Sequence, residues 1–478
     1  MQSKRLLKNK KTVVFLLFIV IVGFFLRVYH LGRPSLWYDE LMTAGRINYS
    51  FAQTVKNLAA SPFPPLYYIL MNLWVRIFGN SEFFLRFPSL IFSVLSIIFI
   101  FYLAKGLFDE RIGLFSALFL SISPYSIYYA QEAKMYSMLW SLAILSFLFF
   151  HRFMTNNKIG SLLLYVVFTT ISIYTMYIGF IFILIQNILF ICFFKAKWLK
   201  KWLLGQLLII LLYLPWVDKF FYTAVNKTGV DWIHRVDSYL TVLATIFYVT
   251  LGGVVKHKRF IELGVYCFLI ISSVISLSNA KQRKYFLNFT QSDHMLFIWV
   301  IVPLVLFGFI NILVCPLLAG YTTRYAGFIH IPLIILMSKG INKYKAKFKY
   351  TLLIFLLLVT FFYRLYPLYQ YSYRALGDDW RTFLNELRQR GDNNSLILTD
   401  LPLSVIQYYN KDYETCALEY IEVLKRNAFN KNYDSIFVVY RYKVLNKNNL
   451  LPKLIKKYEV RENYSKPPNG FLWLKRKE

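Results

Sequence analysis

The stretch Ser61-Pro62-Phe63-Pro64-Pro65-Leu66-Tyr67-Tyr68, continuing to Phe78, decides how the chain is threaded. It is apolar enough to suggest a membrane span. However, it opens on three prolines, carries Asn72 and Arg76, and is at the short limit of the ~20 residues that cross a bilayer. Leu66, Ile69, Leu70, Leu73 and Ile77 recur at helical spacing. We read Pro62–Phe78 as a helix lying at the outer interface, and the basic loops that follow support this. Pro88–Ala104 is a clear span, and Lys105 and Arg111 come next. Basic loops belong on the cytoplasmic side. If Pro62–Phe78 crossed, that loop would lie outside.

Composition sets the class before any motif is read. The 478 residues are 57% hydrophobic and 19% aromatic, with a mean hydropathy of +0.46, which is beyond a water-soluble chain of this size. The net charge of +31 is spread over loops. In a membrane protein such an excess meets anionic headgroups. There is no nucleic-acid-binding motif, so no nucleic-acid partner is expected. The partners expected from composition are membrane lipids. Cys192, Cys267, Cys315 and Cys416 show no zinc or disulfide spacing, and the six histidines fall at no ligand spacing. No metal site is predicted.

Working outward, Lys4, Arg5, Lys8, Lys10 and Lys11 precede the apolar run Thr12–Tyr29. This reads as an uncleaved first span with a cytoplasmic N-terminus. Ile112–Tyr128 returns outward with a break near Pro124. Ser137–Phe150 goes in. Ser161–Phe194 is too long for one helix and splits near Tyr177–Gly179. Trp202–Trp216 goes out, and Leu240–Val255, holding Gly252-Gly253, reads as interfacial. Phe260–Leu277, Met295–Val314, Tyr325–Met337 and Thr351–Tyr366 complete the pattern. The total is about 11 transmembrane helices. Lys256, His257, Lys258 and Arg259 fall outside against the rule, so 13 is the alternative.

From about Pro367 the long apolar runs stop. Asp378 and Asp379 read as caps for a helix from Trp380 to Arg390, with Gly391 as its stop. Ser395–Thr399 and Ser435–Tyr440 read as strands, with a helical pattern between them and another near Leu450–Lys457. Tyr458–Asn463 and Phe471–Leu474 form a hairpin across Pro467–Gly470. The expected fold is an α-helical polytopic membrane domain, residues 1–366, with external loops at 30–87 and 125–136. A soluble, extracytoplasmic α/β domain follows at 367–478.

This threading puts several polar residues on one outer face. Leu36-Trp37-Tyr38-Asp39-Glu40 follows the first span. Asp39 is a candidate general base, because a positioned carboxylate can take a proton from a hydroxyl nucleophile. It also reads as an N-cap for the residues after it, with Glu40 favouring the first helical turn. Glu132 lies in the second external loop beside Gln131 and Lys134. It reads as a second catalytic carboxylate or, with Lys134, as a solvated pair. Arg324, followed by Tyr325, opens a span and reads either as a phosphate ligand with two parallel hydrogen bonds or as an interfacial arginine snorkelling among aromatic neighbours. Arg86 and Lys134 are further candidates for that anion.

The ordered set resembles a known family. Trp37-Tyr38-Asp39-Glu40, Pro64-Pro65-Leu66-Tyr67-Tyr68, Arg86-Phe87-Pro88-Ser89, Tyr129-Ala130-Gln131-Glu132-Ala133-Lys134-Met135-Tyr136 and Arg324-Tyr325 carry the likeness. Asp379-Trp380-Arg381 opens the tail in a similar way. The resemblance is to GT-C glycosyltransferases of the dolichyl-phosphate-mannose protein mannosyltransferase and aminoarabinose transferase type, among bacterial and archaeal relatives. It covers the N-terminal third well and the later spans loosely.

The resemblance implies an inverting transfer, at the outer face of the cytoplasmic membrane, from a polyprenyl-phosphate sugar to a glycan, lipid or protein acceptor. Asp39, Glu40 and Glu132 would be catalytic. Arg324, Tyr325, Lys134, Gln131, Arg86 and Tyr38 would bind substrate. No cofactor is required, and a divalent cation beside the carboxylates stays open. Phe63 stands where relatives often have His, and Lys134 where they often have Arg, which loses a bidentate donor. The competing class is a lipid-linked-sugar transporter. That class calls for polar residues deep in spans and for pseudo-repeated halves.

Overall fold

The computed structural model describes residues 2–58, 63–193, 196–226, 290–309, 324–360, 379–391, 394–399, 406–410, 413–417, 433–441, 458–466 and 469–477. The readings at Leu240–Val255, Lys256–Arg259, Phe260–Leu277 and Asp378 lie outside these residues. So do the tail's two inner helical patterns and Pro467-Pro468. The chain divides into two compact units. One is Met1–Tyr29, Phe51–Leu73 and Arg86–Leu368; the other is His30–Ser50, Trp74–Leu85 and Tyr369–Glu478. Two segments of the loop expected to be external, His30–Ser50 and Trp74–Leu85, therefore cluster with the C-terminal residues, which no linear cut could separate.

The helices of the N-terminal half are α1 (Gln2–Val28), α2 (Tyr38–Ile47), α3 (Phe51–Leu58), α4 (Leu66–Phe78), α5 (Glu82–Leu107), α6 (Glu110–Ile122) and α7 (Pro124–Ala130). After them come α8 (Tyr136–Asn156), α9 (Ile159–Thr175), α10 (Gly179–Cys192) and α11 (Leu199–Asn226). Then follow α12 (Gln291–Phe309), α13 (His330–Asn342) and α14 (Ala346–Thr360). Among the described residues four helices are long and apolar enough to cross a membrane: Lys10–Val28, Glu82–Leu107, Tyr136–Asn156 and Ala196–Tyr222. The α6–α7 pair makes a fifth if its 58° bend is one broken span. Helices α9 and α10, with 17 and 14 residues, are apolar but shorter.

Lipid accounts for what water would not tolerate. Val13, Val14, Phe15, Phe18 and Phe25 of α1 are exposed, as are Leu203, Leu207, Ile210 and Leu214 of α11. Such apolar stripes match hydrocarbon, and the helix satisfies its own backbone there. Helix α8 is different. Its side chains are buried on nearly every side, so it forms the centre of its bundle.

Contacts at the helix ends group the loop residues of this unit into two sets. At one end the His151 Nε2 and the Gly106 carbonyl are 3.1 Å apart, Lys201 donates to the Asn157 carbonyl at 3.0 Å, and Ser292 donates to the Leu107 carbonyl at 2.9 Å. The buried Asp293 pairs with Lys339 at the same end. All of these residues were read on the basic side. At the other end Tyr177 packs on Phe220, with ring centroids 5.1 Å apart, and both were read outside.

Helix α4 has 13 residues, about 20 Å of helix. Arg76 near its end donates to the Tyr49 carbonyl at 3.2 Å. The Arg76 end of α4 thus lies beside Tyr49, two residues before α3 begins.

The C-terminal part is a mixed sheet with a helix, α15 (Trp380–Arg390). Strands β1 (Ser395–Thr399), β2 (Glu414–Ala417), β3 (Ser435–Arg441), β4 (Tyr458–Lys466) and β5 (Asn469–Arg476) run in the order β2-β1-β3-β5-β4. β1 is parallel to β2 and β3, and β5 is antiparallel to β3 and β4. Strand β2 has no sequence signal: Glu414-Thr415-Cys416-Ala417 is short and lacks β-branched alternation. On α15, Trp380, Phe383, Leu384 and Leu387 form one buried stripe. Phe383 meets Phe471 at 5.6 Å, and Phe471 meets Phe437 at 5.6 Å.

Asp379 caps α15 through Thr382, as expected. Gly391 ends the helix for a different reason. Its φ of −84° suits any residue, so no left-handed cap is made. A Cβ there would meet the Tyr413 hydroxyl at 2.6 Å and Phe437 at 3.0 Å. The glycine is set by space, not by conformation.

Candidate active site

The candidates of the first unit are built around the break between α6 and α7. Pro124 cannot continue α6, so the carbonyls of the preceding turn lose their helical donors. Arg27, at the end of α1, replaces those donors. It is fully buried and donates to the carbonyls of Ser121 at 2.7 Å and Leu120 at 2.9 Å, to Gly23 at 2.9 Å, and to the hydroxyls of Ser93 and Ser126 at 2.8 and 3.0 Å. Ser123 caps α7 at the Ser126 N–H, and its hydroxyl lies 2.7 Å from His330 Nε2. A small cavity lined by Ser93, Ser126, Ser137, Trp140 and His330 lies beside this knot.

The break turns Tyr125–Tyr136 into an aromatic floor. Tyr125 stacks on Trp140 at 5.2 Å, and Tyr129 meets Tyr136 and Trp140 at 5.3 and 5.1 Å. Gly327 closes against it: a Cβ there would lie 2.2 Å from Trp140 and 2.6 Å from the Tyr125 hydroxyl. That close approach brings Arg324-Tyr325 to the segment ending at Tyr136. Tyr325 faces Tyr136 at 6.4 Å, and the Arg324 guanidinium lies over the Tyr325 ring at 5.8 Å.

Other motifs converge here too. Tyr67 Oη lies 3.5 Å from Ser89 Oγ, and Ser89 donates to the Lys134 carbonyl at 3.0 Å. The Pro64–Tyr68, Arg86–Ser89 and Tyr129–Tyr136 motifs therefore meet in one place. Arg86, Glu132 and Lys134 are buried, at 0%, 1% and 5% exposure. The solvated Glu132–Lys134 face allowed by spacing is thus overturned, because buried charge persists only with partners. Gln131 has a structural task. Its amide donates to the carbonyls of Arg27 at 3.0 Å and Tyr29 at 2.8 Å, which holds the end of α1.

The remaining candidates, Tyr38, Asp39 and Glu40, belong to the second unit. Trp37, not Asp39, is the N-cap of α2, which corrects the capping reading of Asp39. Tyr38 is the first helical residue and Asp39 the second, both half-buried. Glu40 is fully buried and accepts from the Trp37 N–H at 3.3 Å, the reciprocal bond of a helix start. The local preference thus falls on Glu40, and Asp39 occupies the first turn without making the cap.

Sequence reasoning missed Arg27, His330 and Trp140. Arg27 was visible only as a charge ending the first span; its partners come from three other helices. Among the described residues no three His, Cys, Asp or Glu side chains gather at metal-ligand range.

Residues 63–217 match the family described as dolichyl-phosphate-mannose-protein mannosyltransferase. No curated protein matches. Among solved structures the chain is similar to ArnT from Cupriavidus metallidurans in the apo state, at 13% identity, with 98% of each chain covered and a TM-score of 0.65. It is similar to the same protein bound to undecaprenyl phosphate, at 13% identity, 97% of this chain and 98% of that one, and a TM-score of 0.62. It is also similar to the archaeal oligosaccharyltransferase AglB from Archaeoglobus fulgidus in complex with an inhibitory peptide and a dolichol-phosphate. There identity is 12%, coverage 97% and 74%, and the TM-score 0.55. The fold is that of the GT-C glycosyltransferases.

Proposed function

We propose that this chain is a polytopic glycosyltransferase of the cytoplasmic membrane, with its N-terminus inside and its C-terminal domain outside. It moves one sugar from a polyprenyl-phosphate donor to an extracytoplasmic glycan, lipid or protein acceptor, with inversion. The observation that carries the reading is the likeness, over nearly the full length of both chains, to a protein solved with undecaprenyl phosphate bound. The convergence of the sequence motifs around Glu132, Lys134 and Tyr325 supports it.

Asp39 takes the acceptor proton as the acceptor oxygen bonds to the anomeric carbon. The lipid phosphate leaves with the electron pair of the broken bond. Arg324 meets the charge that develops on the phosphate, where a guanidinium offers two parallel donors. Glu132 orients the acceptor, and the buried Lys134 and Arg86 balance the negative charges. Transfer runs without an added divalent ion; loss of activity on chelation would place a cation beside the carboxylates.

The test is purified protein in lipid with a panel of polyprenyl-phosphate sugars, scored for bond cleavage. Asp39→Asn is expected to slow transfer by ~10²–10⁴-fold with donor binding retained. Transfer at the normal rate would sink the assignment. Movement of intact donor across the bilayer without cleavage would favour the transporter class.

A further inference from the structure

Helix α2 carries Asp39, and the backbone leading into it is held by the C-terminal residues of its own unit. The Leu36 N–H donates to the Tyr409 hydroxyl oxygen at 2.7 Å. The Tyr409 O–H donates onward to Glu82 Oε1 at 3.1 Å. Arg381 pairs with the same carboxylate oxygen and, through its other terminal nitrogen, donates to the Arg33 carbonyl at 3.3 Å. Tyr409 is fixed in turn by Arg388 of α15, which donates to its carbonyl. Next to it, Tyr408 donates to the Asn80 carbonyl at 2.6 Å. Gly32 leaves room for Phe83, whose Cβ would lie 3.1 Å from any Cβ at position 32.

The arrangement is more specific than domain packing requires. Leu36 is completely buried, so its N–H needs a partner. That partner could have come from nearby backbone. Instead it is a side chain 373 residues away, in a relay that ends on an ion pair. The relay grips Arg33–Leu36 at both ends, one at a carbonyl and one at an N–H. Leu36 is followed by the N-cap Trp37, and Asp39 lies in the first turn. Rotation of this segment is rotation of the Asp39 carboxylate. Burial, more than the nearby Glu82 charge, pushes the Tyr409 phenol above its ordinary pKa, so the hydroxyl remains a donor through the working pH range.

We infer that Tyr409, Glu82 and Arg381 are positioning residues for Asp39, by which the C-terminal residues set the aim of the catalytic carboxylate. This rests on the assignment of Asp39 as base. The relay is a device for kcat, because a base displaced by a fraction of an ångström still permits donor binding but transfers its proton slowly.

The test uses the full-length protein in lipid. Tyr409→Phe keeps the ring and removes the oxygen that serves both Leu36 and Glu82. The expected result is a kcat about tenfold lower, with the donor KM within about twofold. Amide exchange of the peptide spanning residues 33–47 should quicken by a similar factor. Glu82→Gln combined with Tyr409→Phe should be no slower than the worse single variant, since both cut one relay. Tyr458→Phe removes another buried hydroxyl of the same unit, one that donates to the Tyr433 carbonyl at 3.0 Å, and should leave kcat unchanged. Normal kcat and unchanged exchange in Tyr409→Phe would overturn the inference, as would an equal loss in Tyr458→Phe. Exchange is read without turnover. A change in exchange together with an active Asp39→Asn variant would therefore refute the base assignment and leave the relay standing.

Discussion

Arg27 shows how far one side chain can be from what its position suggests. A cation at the end of a first span usually snorkels to the interface. This one is buried and spends its donors on carbonyls exposed by a proline break. Arg27→Met keeps the volume and removes the donors. It should lower stability by ~3–5 kcal/mol, as loss of a buried, fully bonded charge leaves its partners orphaned. Thermal unfolding in a fixed lipid or detergent reads the loss, and a shift no larger than that of a surface Arg→Met variant would contradict it. Gly327 tests the opposite fault. Gly327→Ala places a methyl against Trp140 and Tyr125 and should cost ~1–3 kcal/mol through overpacking. If the Arg324-Tyr325 segment is displaced as a result, donor binding should weaken in the same variant.

At the scale of elements, caps and breaks were the most legible features. Asp379, the Trp380–Arg390 helix and the break near Pro124 all follow from local chemistry, so they could be read without tertiary knowledge. Asp379→Ala should destabilise the helix start by ~1 kcal/mol. Hydrogen exchange of the 380–390 amides should detect it, and unchanged protection would show the cap to be idle. The N-cap at Trp37 was not legible. Asp at position 39 is the better cap by preference, but the turn is registered two residues earlier, where Glu40 can reach back to the Trp37 N–H. Strand β2 escaped for a related reason. Its four residues gain their strand state from pairing with β1, and nothing in their own pattern requires it.

At the scale of the whole molecule, the threading turns on α4. Arg76 near its end meets the Tyr49 carbonyl, and labelling reads whether the segment between them crosses. Single cysteines at Tyr49 and Asn80, both exposed positions flanking this segment, should label with a membrane-impermeant thiol reagent from the same side. Labelling of the exposed Lys105 position is expected from the other side. If Tyr49 and Asn80 label from opposite sides, α4 crosses, and the proposal that Asp39 and Glu132 act on one face fails with it.

The amino-acid sequence by itself marked apolar spans joined by basic loops, and from these an expected side for each loop. Apolar run length and basic-loop placement are one-dimensional consequences of the bilayer's thickness and charge asymmetry, so no fold is needed to read them. It also marked the motifs, since Asp39, Glu132 and Arg324 stand out as polar groups beside spans. Tertiary structure alone decided what those motifs share. Tyr67, Ser89 and Lys134 meet because three separate elements converge, and Glu132 is buried because the bundle closes over it. The hold of Tyr409 on Leu36 spans most of the chain's length. A contact of that kind leaves no local trace, because neither residue's own neighbourhood requires the other.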